Sequence, residues 1–157
     1  MTSDPDLDGA IASGRHAMRV RVYYEDTDFS GIVYHANYLR FMERGRTNYL
    51  RLLGADQRAL FAEAASEAPG FAFVVRAMQL DFLKPARMDD ILDVVTAPEE
   101  VKGASVLLAQ EVRRGDDLLV IAKVRVAFVS DGRARPIPKP LRLAMATDQG
   151  AGGEKIR

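Results

Sequence analysis

The sequence predicts an α+β fold in which one antiparallel sheet wraps around one long helix. Three observations carry that expectation. Residues 36–53 hold a single apolar stripe at helical spacing, and five other stretches have strand character, most clearly where apolar and polar residues alternate. Turn residues then separate the later strands closely enough to join them as hairpins. A sheet with one apolar face and a helix with one apolar stripe bury each other economically, so both belong to one layer pair.

In chain order, residues 1–17 are rich in Asp, Gly and Ala and predict a disordered polar leader. From Met18 to Tyr24, apolar residues alternate with Arg19 and Arg21, the pattern of a strand. A loop from Glu25 to Tyr34 follows, with Gly31 free to take a backbone shape that a Cβ resists. The helix expected over Ala36–Leu53 places Tyr38, Met42, Gly45, Tyr49 and Leu52 on one stripe, with Arg40, Glu43, Arg44, Thr47 and Arg51 opposite. Gly45 in mid-stripe weakens the helix by about 1 kcal/mol against Ala. Close approach of the helix to a sheet is the compensation expected there. Gly54 is placed as the helix stop. A shorter helical piece is expected over 56–65, ending at Pro69-Gly70.

Strands are expected over Phe71–Lys84, Ile91–Thr96, Ser105–Arg113 and Leu118–Val129, joined in a meander. Lys102-Gly103 and Gly115-Asp116-Asp117 supply turns. After Pro136, Pro138 and Pro140 the chain is expected to run into a flexible tail over 147–157, so the folded domain spans 18–146.

Composition narrows the function. The 157 residues include 48% hydrophobic ones, enough for a core of one domain. Twenty-two basic and 22 acidic residues give zero formal net charge, which argues against a nucleic-acid partner. The absence of Cys removes disulfides, thiolate metal sites and a Cys nucleophile. The first residues lack a basic segment followed by an apolar one, and no apolar run is long enough to span a bilayer, so a cytoplasmic protein is expected.

The residues with chemical character concentrate in Tyr23-Tyr24-Glu25-Asp26-Thr27-Asp28-Phe29-Ser30-Gly31-Ile32-Val33-Tyr34-His35-Ala36-Asn37-Tyr38. Three readings are open. The loop is a polar connection whose acids cap the helix or meet arginines. Or Glu25, Asp26, Asp28 and His35 hold a metal, although their spacing matches neither a calcium-hand loop nor a His-Glu-x-x-His helix. Or the loop transfers or hydrolyses an acyl group. No serine lies in a Gly-x-Ser-x-Gly elbow, so a carboxylate has to act as base or nucleophile. Asp28 stands seven residues before His35, at the opening of the helix, where a backbone N–H can hold a carbonyl oxygen as it gains charge. A carboxylate is a weak base, which suits a thioester better than an amide. Glu43 is the rival acid, and His16 is assigned to the leader.

The stretch from Tyr23 to Asp28, with Gly31 to Leu39 and Phe41-Met42-Glu43-Arg44, resembles the opening of the Tol-Pal-associated acyl-CoA thioesterases, in the 4-hydroxybenzoyl-CoA thioesterase branch of the hotdog-fold superfamily. Asp81-Phe82-Leu83-Lys84-Pro85-Ala86-Arg87-Met88-Asp89-Asp90 resembles that family's second marked stretch, and the likeness covers about Met18–Met145. The resemblance implies a hotdog fold, hydrolysis of an acyl-CoA thioester to free acid and coenzyme A, and no cofactor or metal. It implies Asp28 as catalytic acid residue, His35 at the polarising helix start and Tyr24 as an assisting group, with Gly31, Val33, Tyr34 and Asn37 at the substrate. It also implies a homodimer or tetramer with active sites at the subunit interface, with acyl carrier protein as the alternative carrier. Phe29-Ser30 departs from the small residues of many members. Lys84, Arg87, Arg133 and Arg135 are candidates for the coenzyme A phosphates, and ordinary surface charge explains them equally well. The competing class is a non-catalytic module of the same fold that holds an acyl chain or docks acyl carrier protein.

Overall fold

The computed structural model describes residues 4–56, 62, 66 and 72–151. In order they form α1 (Pro5–Asp8), β1 (Ala10–Ala12), β2 (Arg15–Arg21), a 3-10 turn (Tyr24–Asp26), α2 (His35–Asp56), β3 (Ala72–Phe82), β4 (Ile91–Val101), β5 (Ser105–Arg114), β6 (Asp117–Ser130), β7 (Arg133–Ala134) and α3 (Lys139–Ala151). The seven strands make one antiparallel sheet ordered β1-β2-β4-β5-β6-β3, with β7 beside the end of β6. The sheet wraps α2, the hotdog arrangement. The helix expected over 56–65 and the stop at Pro69-Gly70 fall mostly outside the described residues.

The helix stripe is the expected one, with one substitution. Tyr38, Phe41, Met42, Gly45, Asn48 and Tyr49 are buried, and Leu53 rather than Leu52 completes the line. They pack on Val94 of β4, Val106, Leu108 and Val112 of β5, and Val120, Val124, Val126 and Phe128 of β6. Each such side chain contributes about 1.5–3 kcal/mol on burial. At Gly45 the helix comes as close to the sheet as expected. A Cβ there would stand 2.9 Å from Thr96 Oγ1, 3.0 Å from Val94 Cγ1 and 3.2 Å from Gln110 Nε2.

Three expectations are corrected. The segment 1–17 is not a disordered leader where it is described. Asp4 caps α1, accepting from the Asp6 amide at 3.0 Å, and Gly9 and Gly14, at φ +73° and +74°, turn the chain into the β1–β2 hairpin. A composition that reads as disorder thus supplies a cap and two turns. Secondly, β3 does not open a meander. It pairs with β6 at the far end of the sheet, while β2, on the other side of the helix in sequence, pairs with β4. Thirdly, the tail expected from 147 is helical as far as Ala151, because α3 buries Leu141 and Met145 and takes Pro140 in its first turn. No helix among the described residues is long and apolar enough to cross a membrane.

Candidate active site

The loop between β2 and α2 is held as a compact hairpin. Thr27 bridges to Val33, the Asp28 amide donates to the Ile32 carbonyl at 2.8 Å, and the Gly31 amide donates to the Asp28 carbonyl at 3.0 Å. Gly31 sits at φ +82° with open space around it, so backbone conformation and not crowding requires the glycine. The loop is fastened at its base by the Tyr34 amide and the Asn37 side chain, which both donate to the Asp26 carbonyl at 2.9 Å. The Asp26 carboxylate accepts from the Tyr23 amide at 2.9 Å and closes the 3-10 turn. Asp26 and Asn37 therefore hold the loop.

Asp28 remains half-buried at the tip. Its Oδ1 accepts from the Ser30 hydroxyl at 2.6 Å and from the Ser30 amide at 2.8 Å. The hydroxyl above all, with the neighbouring amides, holds the carboxyl below its ordinary range despite partial desolvation. The acid is thus ionised and oriented at neutral pH.

Two turns of chain later, His35 opens α2. The first amides of a helix have no intrahelical acceptor. The Asn37 amide turns back to the Tyr34 carbonyl at 2.8 Å, whereas those of His35 and Ala36 are drawn into no such bond among the described residues. They lie at the positive end of a 22-residue helix. The His35 ring is exposed and leans on Tyr34, with centroids 4.5 Å apart, and on the edge of Phe82 at 6.2 Å.

A groove of about 270 Å³ opens there, lined by Ile32, Val33, His35, Tyr38, Phe82, Leu83, Lys84 and Pro85. Its walls are mostly apolar, and the polarised helix start lies in it. Val33 is buried at its floor and Tyr34 is half exposed beside it. Tyr24, at 80% exposure, turns its side chain to solvent from the 3-10 turn, and Phe29 is wholly exposed at the tip of the loop. Of the expected site residues, Asp28, Gly31, Val33, Tyr34 and His35 gather on one loop and helix start. Tyr24 stands apart from that cluster's hydrogen bonds.

Phe82 and Tyr38 are groove residues that the sequence reading left unassigned. The signal was present, since both lie within the two marked stretches, but neither carries reactive chemistry that singles it out. Glu43 is elsewhere. It accepts from the Thr47 hydroxyl at 2.6 Å and borders a separate cavity of about 170 Å³ with Arg46, Leu50, Phe73, Val75 and Met145. Lys84 is paired to Asp117 at 3.0 Å, while Arg87, Arg133 and Arg135 are exposed. Among the described residues no three His, Asp or Glu side chains converge as ligands for one cation.

The chain matches the thioesterase superfamily over residues 30–121. It is 45% identical over 127 residues to the acyl-CoA thioesterase YbgC of Haemophilus influenzae, covering 81% of this chain and 90% of that protein. It is 42% identical over 125 residues to the acyl-CoA thioester hydrolase YbgC of Escherichia coli O6:H1, covering 78% and 89%. Among solved structures, a probable thioesterase from Bartonella henselae superposes with a TM-score of 0.65 at 38% identity, covering 79% of this chain and 98% of that one.

Proposed function

This chain belongs to the thioesterase superfamily and is a thioester hydrolase, and on that premise we propose that it hydrolyses acyl-CoA with Asp28 as the acting carboxylate and the opening amides of α2 as the oxyanion donors. The observation that carries the reading is the hairpin from Thr27 to Val33, which delivers an ionised, oriented Asp28 on the same short loop that opens into the helix start at His35. In the reaction Asp28 takes a proton from water, or attacks the thioester carbon to give an anhydride that water then opens. The carbonyl oxygen, gaining negative charge, is held by the helix-start amides, and the coenzyme A thiolate leaves. The apolar groove between His35 and Pro85 takes part of the acyl or pantetheine arm.

The names of the relatives, acyl-CoA thioesterase and acyl-CoA thioester hydrolase, support acyl-CoA as the substrate. The functional unit is a homo-oligomer built on the exposed edge of β3. The test is steady-state hydrolysis over a panel of acyl-CoA lengths by the parent and three variants. Asp28→Asn lowers kcat by on the order of 10²–10⁴-fold with little change in KM. His35→Ala keeps the backbone donor and loses less. Near-parental turnover by Asp28→Asn together with a collapse in Glu43→Gln transfers the role to Glu43.

A further inference from the structure

The loop that carries Asp28 does not stand alone. The Val33 amide donates to the Ala86 carbonyl at 2.9 Å, and Ile32 bridges to Arg87, so the loop hangs on residues 83–90 as on a short second strand. That support is itself held from both sides. From α2, the Tyr38 hydroxyl accepts from the Ala86 amide at 3.0 Å, and Ala86 is completely buried. From the end of β5, Arg114 Nη1 donates to Asp90 Oδ2 at 2.8 Å and to the Pro85 carbonyl at 3.2 Å. Asp90 Oδ2 also accepts from the Arg87 amide at 2.8 Å, and Asp117 joins Arg114 at 3.5 Å to Lys84 at 3.0 Å. The Asp89 amide and Val22 carbonyl, with the Val22 amide and Asp90 carbonyl, tie the far end to the chain leaving β2.

We propose that Tyr38 and the Arg114–Asp90 pair are positioning residues, which clamp residues 83–90 and through Ala86 and Arg87 fix the acid-bearing loop against the start of α2. The proposal rests on the assignment of Asp28 made above. Its physical basis is a continuous path: Arg114 holds Pro85 and Asp90, these set Ala86 and Arg87, and they in turn set Val33 and Ile32, whose carbonyl accepts from the Asp28 amide. Tyr38 secures the same buried amide from the helix, so one hydroxyl and one guanidinium join the ties at Asp26 in setting Asp28 against the helix-start donors. An isolated ion pair at a half-exposed surface contributes little stability. A pair that sets a catalytic distance contributes through the rate instead.

The experiment compares the parent with Tyr38→Phe, Arg114→Gln, Asp90→Asn and the Asp90→Asn/Arg114→Gln double variant. Rates are taken well below each melting temperature and divided by the folded fraction. Each single variant should lose about 10–100-fold in kcat with KM within about threefold, the effect of a small misplacement of reacting groups. The double variant should lose no more than the worse single one, because both changes break one unit. Amide exchange followed by NMR should speed up at Val33 and Ala86 in Tyr38→Phe. Parental kcat in the folded fraction overturns the proposal, whatever the melting temperature does, and so does a loss confined to KM. If the parent itself hydrolyses no acyl-CoA, the assignment of Asp28 falls, while the exchange rates at Val33 and Ala86 still decide whether the clamp exists.

Discussion

At the scale of single residues, Asp28 presents a tension that decides what it can do. A general base works best with a pKa near the working pH, yet the Ser30 hydroxyl holds this carboxyl below its ordinary range. The arrangement gives up basicity and gains orientation and full ionisation, a bargain that a reactive thioester tolerates and an amide does not. The sign of the pH dependence follows. In the proposed role Asp28 acts as the charged carboxylate, so kcat/KM should fall as pH drops through its pKa, below the usual carboxylate value. Ser30→Ala removes the strongest donor to the charged form, so the acid limb should move upward toward the ordinary range. An acid limb that stays in place, or moves down, in the Ser30→Ala pH profile breaks the link between Ser30 and the acting group. Ser30 is the second member of the Phe29-Ser30 pair singled out in the sequence, and Phe29 beside it faces solvent entirely. The pair therefore bears on the acid through Ser30 rather than on the groove through Phe29.

At the scale of elements, the parts legible in the sequence are those in which pattern and packing agree. The α2 stripe, the strand alternation of β6 and the two hairpin turns need only local information, and they stand where the residues placed them. The pairing of β3 with β6 was not legible, because strand order depends on which faces meet after the chain has crossed the helix. The polar core under α2 was hidden as well. Gln110 Nε2 donates to the Met42 carbonyl at 2.9 Å and to Thr96 at 2.8 Å, and its oxygen accepts from Arg46 at 3.0 Å, so a charged residue of α2 turns inward. At the site, the loop and helix start were legible from reactive residue types, whereas the 83–90 clamp joins side chains to backbone groups distant in sequence, which no local pattern announces. Gly45 was legible for a physical reason, and it yields a prediction. Gly45→Leu drives a side chain into Thr96, Val94 and the Gln110 network, and should cost about 1–3 kcal/mol after the gain in helix propensity. Thermal melting of that variant at or above the parental temperature contradicts the close contact.

The N-terminal elements supply a second prediction at this scale. His16 is completely buried, with Nε2 2.6 Å from the Asp8 carbonyl and Nδ1 without a hydrogen-bond partner among the described residues. The carbonyl can only accept, so the proton sits on Nε2, and the Tyr49 ring lies 6.5 Å from the imidazole, centroid to centroid. Burial lowers the pKa of the ring from 6.5, against smaller opposing effects of the Asp8 carbonyl and charge. Below 6.5 the unfolded chain therefore takes up a proton that the folded chain refuses. Stability falls as pH drops from about 7, at up to about 1.4 kcal/mol for each unit of depression, until the folded pKa is reached. His16→Gln keeps a donor for Asp8 and removes the titration. Denaturant unfolding at pH 7.5 and 5.5 should show a smaller difference in His16→Gln than in the parent, and equal differences would place the proton linkage elsewhere.

At the scale of the whole molecule, the sheet is unfinished. β3 forms one end of it for eleven residues, with Val74 at 41%, Val75 at 47% and Phe82 at 50% exposure. A long apolar edge of this kind templates pairing with another chain unless something covers it. Two copies joined antiparallel about the middle of β3, near Ala77, form one continuous sheet with twofold symmetry. The Phe82 end of one strand then lies against the Ala72 end of the other. Such a pairing would bring the groove at His35, Tyr38 and Phe82 of one copy toward the partner's end of β3 that carries Phe73 and Val75. In such a dimer the open groove would gain a wall, and water would be excluded from the face proposed for the thioester. The purified protein should therefore scatter light at twice 17.3 kDa or a higher multiple at micromolar concentration. Val75→Lys places a charge on the paired edge without touching Asp28 or the helix start, and should lower the mass toward the monomer and the specific activity with it. A monomeric parent that turns over acyl-CoA at full rate removes both the interface and the shared groove.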